Sequence, residues 1–298
     1  VIVSNRMVIT GAGGQVGRFL AAQAARQGYG VCALTHREFD ITDPAAAVAH
    51  VRADDVVVNC AAFTNVDAAE ADPDAAYAIN AAGPGHIARA CAAAGARLIH
   101  ISTDYVFNGV VGGQQHRPYE ITDPVGPLSV YGRSKLDGEL AVHAELPGAH
   151  VVRTSWVYTG GSGTDFVAVM RRLAAGEKTI EVVDDQTGSP TYVKDLVAAL
   201  LEVAAGRITA PVLHAANAGA ASRFEQARAV FTDLGADPER VRPVGTAAVP
   251  RPAHRPVFSA LSMTGSAQAG LTPLRPWREA LAEAVAAPVD DGPIPSTP

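Results

Sequence analysis

Up to about residue 155 the chain alternates short β-branched runs with alanine-rich stretches of helical length: MVIT then RFLAAQAARQG, GVCAL then PAAAVAHVR, DVVVNCA then AAYAINAAGPGHIARACAAAG, RLIHIS then YGRSKLDGELAVHAE, and last HVVRTSWVY. The strand runs are continuously apolar. Such strands are buried on both faces, which calls for helices on both sides of a parallel sheet. This order of elements predicts a doubly wound parallel sheet, a Rossmann-type α/β fold. After about residue 160 the rhythm breaks. FVAVMRRLAAGE, YVKDLVAALLEVAAG and SRFEQARAVFTDLG read as helices, separated by irregular pieces such as VPRPAHRPVF. The expected organisation is a first domain over 1–160, to which some later segments return, then a smaller mixed α/β lobe over 161–287. A Pro- and Asp-rich tail over 288–298 is expected to be disordered.

The 298 residues are 48% hydrophobic, enough for a full core. A net charge of −6 argues against a nucleic-acid partner, which selects a basic face. No apolar run reaches the roughly 18 residues of a spanning helix, and VIVSNR is too short for a secretion signal. Cys32, Cys60 and Cys91 lie in apolar stretches without metal-ligand spacing, so they read as reduced and inert, and no metal site is expected. A cytoplasmic enzyme or binding protein with a small-molecule ligand, monomeric or homodimeric, is the expectation.

Gly11, Gly14 and Gly17 in ITGAGGQVGRFL follow the first strand and open the first helix. Glycines there let the backbone approach a pyrophosphate held at a helix N-terminus. A tight turn with close helix packing is the competing reading, and the surrounding βαβ unit favours the phosphate. This makes the first domain a dinucleotide-binding domain and the second a substrate lobe. The second strand, VCALT, ends without an acidic residue and is followed by His36 and Arg37. Arg37 is suited to a ribose 2′-phosphate, which points to NADPH and leaves NADH open. The competing reading is a solvated surface arginine.

The strand RLIHIS ends in Thr103 and Asp104, and strand ends line the ligand crevice of a doubly wound sheet. Tyr131 and Lys135 follow in YGRSK, four apart and so on one face of a helix. Reducing a ketone takes a hydride on carbon and a proton on oxygen. A phenol can give that proton, and a nearby ammonium is expected to lower its pKa. Thr103 can hydrogen-bond the oxygen as charge builds there.

These residues resemble the extended short-chain dehydrogenase/reductases. With GGQVG, NCAAFTNVDAAE, STDYVFNG, YGRSKLDGE, RTSWVY, DDQTGSPT, RPVFSAL and PWREAL, the chain from about 7 to 285 resembles the dTDP-4-dehydrorhamnose reductase family. The resemblance implies NAD(P)H-dependent reduction of the 4-keto group of a dTDP-sugar. It implies that Gly14, Gln15, Val16 and Gly17 wrap the pyrophosphate and that Asp40 and Ile41 flank the adenine. Ala61, Ala62 and Thr64 would lie beside the cofactor, and Lys135 on its ribose. Thr103 and Asp104 would touch the sugar, with Tyr131 as proton donor. Val66 and Trp156 would line the sugar pocket, although a core aromatic is an equal reading of Trp156. Gln186 and Arg255 would serve the nucleotide end. Some relatives carry a glutamate after the third loop glycine that helps a Mg²⁺-bridged dimer; here Arg18 follows Gly17, which puts Mg²⁺ in doubt.

Three rival functions share this scaffold. A related dehydratase places Asp-Glu after the strand-end Thr; here Thr103 is followed by Asp104 and Tyr105. A nucleotide-sugar epimerase is the second, and a non-catalytic dinucleotide-binding regulatory subunit the third. A regulatory subunit would lack Thr, Tyr or Lys, and all three are present.

Overall fold

The computed structural model describes residues 6–109, 117–161 and 163–287; the tail over 288–298 lies outside them. The apolar runs form strands and the alanine-rich stretches form helices: β1 (Arg6–Thr10), α1 (Gln15–Arg26), β2 (Gly30–Leu34), α2 (Pro44–His50), β3 (Val56–Asn59), α3 (Val66–Ala71), α4 (Pro73–Tyr77), α5 (Gly83–Ala94), β4 (Arg97–Thr103), α6 (Val130–Glu145) and β5 (His150–Thr154). Then come β6 (Val157–Tyr158), α7 (Phe166–Ala174), β7 (Ile180–Val183), β8 (Thr187–Gly188), β9 (Thr191–Tyr192), α8 (Val193–Ala204), β10 (Val212–His214), β11 (Ala221–Ser222), α9 (Arg223–Asp233), β12 (Val241–Val244), α10 (Thr264–Gln268) and α11 (Trp277–Ala286).

Six strands form one parallel sheet in the order β10-β5-β4-β3-β1-β2. Alternate residues of each strand enter cores on opposite faces. Met7 and Ile9 of β1 pack in the core that takes in Leu20 of α1 and Leu196 and Leu200 of α8. Val8 between them packs in the other, with Ile87 of α5 and Val142 of α6. Burial on both sides is why β1, β2 and β3 read as nearly unbroken apolar runs. The chain first winds from β1 to β2, then crosses back to β3 on the other side of β1. The order reverses between β1 and β3, and the ligand crevice of such a sheet opens outside the strand ends at that point.

Residues after 160 serve both parts. Helix α8 packs on α1, and β10 forms one edge of the sheet. The remaining strands make two-stranded pairs, β7 with β12, β8 with β11 and β6 with β9. Two departures from the sequence pattern bear on the site. The stretch AAYAINAAGPGHIARACAAAG is not one helix: a π-turn over Ala78–Ala82 separates α4 from α5. It buries Asn80, whose amide bonds the Phe63 backbone through both its atoms and donates to Ser134 Oγ. HVVRTSWVY is likewise split into β5 and β6, with Trp156 at φ +47° between them.

Candidate active site

A cavity of about 870 Å³ lies at the strand ends, closed on its far side by residues after β5 such as Trp156, Phe166 and Arg223. One wall follows β1 and β3. Gly11 sits at φ +62°, and a Cβ there would stand 2.6 Å from the Ala61 amide nitrogen, so only glycine lets the two turns meet. Gly14 caps α1 without a side-chain bond, and no acidic residue occupies the first turn. The first amides of α1 are therefore available to an anion at the positive end of the helix dipole. The residues present fit a dinucleotide pyrophosphate. Gly11, Gly14, Gln15 and Val16 line the cavity, as do Asp40, Ile41, Ala61, Ala62, Thr64 and Val66. Gly17 does not: its Cα packs under the turn, where a Cβ would come within 2.5 Å of the Gly11 carbonyl oxygen. Its part is helix-to-strand packing. Arg37 is exposed and outside the lining; its neighbour His36 is within it.

The chemical centre is the end of β4 facing the start of α6. Ser129 caps α6 by accepting from the Gly132 amide, which fixes the helix phase that turns Tyr131 and Lys135 to the cavity. Thr103 and Asp104 line it with them. Tyr131 meets the edge of Tyr105, with ring centroids 5.8 Å apart. Burial holds the Tyr131 phenol well above its ordinary pKa, and a hydrogen bond with Thr103 works against that. The lowering expected from Lys135 is not what the structure has. Lys135 Nζ donates to the Ile101 carbonyl at 2.6 Å, and the phenol sits in a desolvated pocket. Burial pushes Lys135 the opposite way, down to about 8, with Glu139 opposing.

Asp104 is buried and accepts from three hydroxyls: Thr103 at 3.1 Å, Ser155 at 2.9 Å and Ser259 at 2.5 Å. Burial nevertheless pushes its carboxyl up to about 6. Ser259 comes from RPVFSAL, so Asp104 also ties β4 to the far end of the chain.

On the opposite wall, Trp156 lines the cavity. A left-handed backbone at a bulky residue costs about 1–3 kcal/mol and persists only where the surroundings impose it. They do here. The indole lies against Gly188, where a Cβ would stand 2.5 Å from Trp156 Cε2, and Arg223 stacks on it at 3.5 Å from the ring centroid. Arg223 also lies 4.9 Å from the Phe166 ring. Burial pulls its guanidinium down to about 10, with Tyr105 and Asp104 acting to retain the charge. Sequence reasoning missed Arg223, Tyr105 and Phe166, all of which line the cavity. Two expected residues lie outside the lining. Arg255 is bound bidentately to Asp67, at 2.7 and 2.8 Å. Gln186 donates to Thr246, and its carbonyl receives the Arg223 amide. The DDQTGSPT block thus positions Arg223 rather than reaching into the cavity itself. Among the described residues no group of His, Cys, Asp and Glu could hold a metal ion, and no helix is long and apolar enough to cross a membrane.

A family model described as the RmlD substrate binding domain matches residues 5–289. A dTDP-4-dehydrorhamnose reductase of Mycobacterium tuberculosis is 63% identical over 298 residues, covering 99% of this chain and 98% of that one. The chain belongs to the dTDP-4-dehydrorhamnose reductase family. Solved members share the fold. A dTDP-4-dehydrorhamnose reductase of Clostridium acetobutylicum matches with a TM-score of 0.88 at 36% identity, covering 94% of this chain and 98% of that one. The enzyme of Bacillus anthracis, crystallised in complex with NADP, matches with a TM-score of 0.86 at 35% identity, covering 93% and 96%. The family is one of reductases, and in this chain Thr103, Tyr131 and Lys135 line one cavity.

Proposed function

We propose that this chain reduces the 4-keto group of dTDP-4-dehydro-L-rhamnose to dTDP-L-rhamnose with NADPH or NADH. The observation that carries this reading is the convergence of Thr103, Tyr131 and Lys135 in one cavity with the uncapped glycine turn. Gly14, Gln15 and Val16 hold the pyrophosphate on the first amides of α1. Asp40 and Ile41 flank the adenine, Ala61, Ala62 and Thr64 line the path onward, and Lys135 holds the nicotinamide ribose. When bound, the dihydronicotinamide supplies the hydride to the carbonyl carbon. Tyr131 gives its proton to the carbonyl oxygen, so the ketone gains a hydride and a proton and becomes an alcohol, leaving a phenolate. The raised pKa of the phenol keeps that proton in place until charge develops on the substrate. With substrate bound, the Thr103 hydroxyl turns its one proton from Asp104 to the same oxygen.

The sugar lies between Val66, Asp104 and Trp156. Arg223 takes the role expected of Arg255: stacked on Trp156, and in a salt bridge with no carboxylate among the described residues, it meets the diphosphate. The experiment is to mix the protein with NADPH and dTDP-4-dehydrorhamnose, follow loss of the nicotinamide absorbance, and identify the sugar formed. Absorbance loss with dTDP-rhamnose as product is expected; an unchanged signal sinks the assignment.

A further inference from the structure

Behind Lys135 lies a file of buried polar groups that the reduction leaves unused. Thr10, at the end of β1, donates to Asn59 Oδ1 at the end of β3 at 2.6 Å, and the Ala61 amide donates to the same oxygen at 3.1 Å. A backbone N–H only donates, so Oδ1 is the carbonyl oxygen and Nδ2 is the atom that meets His100 Nδ1 at 3.0 Å. Asn59 therefore donates and Nδ1 accepts. A neutral imidazole that accepts at Nδ1 carries its proton on Nε2. That Nε2–H faces Lys135 Nζ at 3.4 Å. Thr10, Asn59 and His100 are buried, and Lys135 is 2% exposed.

An ammonium has donors only, so opposite an N–H it finds no acceptor; a neutral amine offers its lone pair. We propose that His100, locked as its Nε2–H tautomer by Asn59, is a positioning residue that sets the protonation of Lys135 by favouring the neutral amine. The inference rests on the reading of Tyr131 and Lys135 given under the proposed function. The protonation state bears on how Lys135 holds the nicotinamide ribose, since an ammonium can only donate to its hydroxyls whereas an amine can also accept from them.

Burial acts in the same direction, holding Lys135 low and His100 well below its ordinary value. Glu139, one turn further along α6, favours the ammonium, and so does Cys60 at the end of β3. Burial pushes the Cys60 thiol up to about 12, so it is neutral. Glu139 is bound to Arg153 of β5 at 2.7 Å and receives Ser102 of β4 at 2.5 Å, which compensates its charge locally. His143 of α6 acts on His100 and, like Lys135, disfavours the imidazolium.

The test reads the ring and the amine without turnover. Nitrogen NMR of histidine-labelled wild-type protein is expected to find His100 neutral and protonated on Nε2 between about pH 5 and 9. A proton on Nδ1, or an imidazolium in that range, overturns the proposal. Asn59→Asp puts an acceptor opposite Nδ1, draws the ring proton there and turns the Nε2 lone pair to Lys135. The Lys135 titration, followed by carbon NMR at Cε, is then expected to rise by about one pH unit or more. The new carboxylate also acts through space, so the same substitution is made in a His100→Phe background, where the rise is expected to fall below half. Equal rises in both backgrounds overturn the proposal. If Asn59→Asp fails to fold, the wild-type ring measurement still decides. Neither measurement uses the sugar nucleotide, so a failed reductase assignment and a failed tautomer assignment are separate outcomes.

Discussion

The two walls of the cavity are made of different material. The wall proposed for the cofactor is backbone and small side chains, Gly11, Gly14, Ala61 and Ala62, in turns that directly follow β1 and β3. The wall proposed for the substrate is large side chains, Tyr105, Trp156, Phe166 and Arg223, brought together from separate elements far apart in the chain. A backbone wall recognises what every dinucleotide shares, a pyrophosphate, and does so through amides that mutation leaves in place. A side-chain wall concentrates recognition in a few groups, each held by packing. Substitutions on the two walls should therefore fail differently, and the reacting centre between them should fail hardest.

At that centre, Tyr131→Phe removes the proton donor and keeps the ring. Turnover is expected to fall roughly 10²-fold or more, the scale of a lost general acid, with cofactor affinity nearly unchanged. Steady-state kinetics with a parallel NADPH titration checks it, and near-normal turnover would remove Tyr131 from the reaction.

Arg223→Ala tests the substrate wall. Losing one charge-assisted contact of about 1.5–3 kcal/mol should weaken dTDP binding by one to two orders of magnitude and leave NADPH binding as it was. Calorimetry with dTDP and with NADPH separates the two. Equal losses for both ligands would mean that the walls are not independent.

Asp104 sharpens the boundary between them through pH. Its folded pKa, about 6, stands above the ordinary 3.8, so the folded chain binds this proton more tightly than the unfolded one. The contribution is fully present below the unfolded value and is lost as pH rises through the folded one. Wild-type protein should therefore lose stability relative to Asp104→Asn as pH rises from 3.8 to about 6, with little further change above. Thermal melts of both proteins across that range report it; parallel curves would mean that the carboxyl is not held high.

The smallest effect is expected at Arg37, exposed at the rim of the cofactor wall. Arg37→Ala should raise KM for NADPH by roughly two- to fivefold, the scale of an exposed charge pair, and spare NADH. Equal KM values for wild type and variant with both cofactors would make Arg37 a surface charge.

The cofactor wall was legible in the sequence because glycine spacing, strand ends and helix phase are local properties, and they place Gly11, Gly14, Thr103, Tyr131 and Lys135 without reference to distant residues. Arg223 was not legible. Nothing in SRFEQARAVFTDLG separates a cavity arginine from a solvated one; what does so is the pairing of β8 with β11, which starts α9 beside Trp156. That Arg255 lies outside the lining was not legible for the same reason, since its partner Asp67 is 188 residues away. The pKa of Tyr131 reversed the sequence expectation because an i, i+4 spacing says that two groups share a face, and not where the ammonium turns.

Composition, apolar periodicity and the glycine turn were thus enough to determine a doubly wound sheet with a dinucleotide crevice, because strand burial and backbone approach act over a few residues. Tertiary structure alone decided which arginine lines the cavity, which carboxylate is desolvated and which ring nitrogen of His100 faces Lys135. Those depend on burial and on hydrogen-bond partners far apart in the chain, and electrostatics inside a protein is set by what surrounds a group rather than by what precedes it.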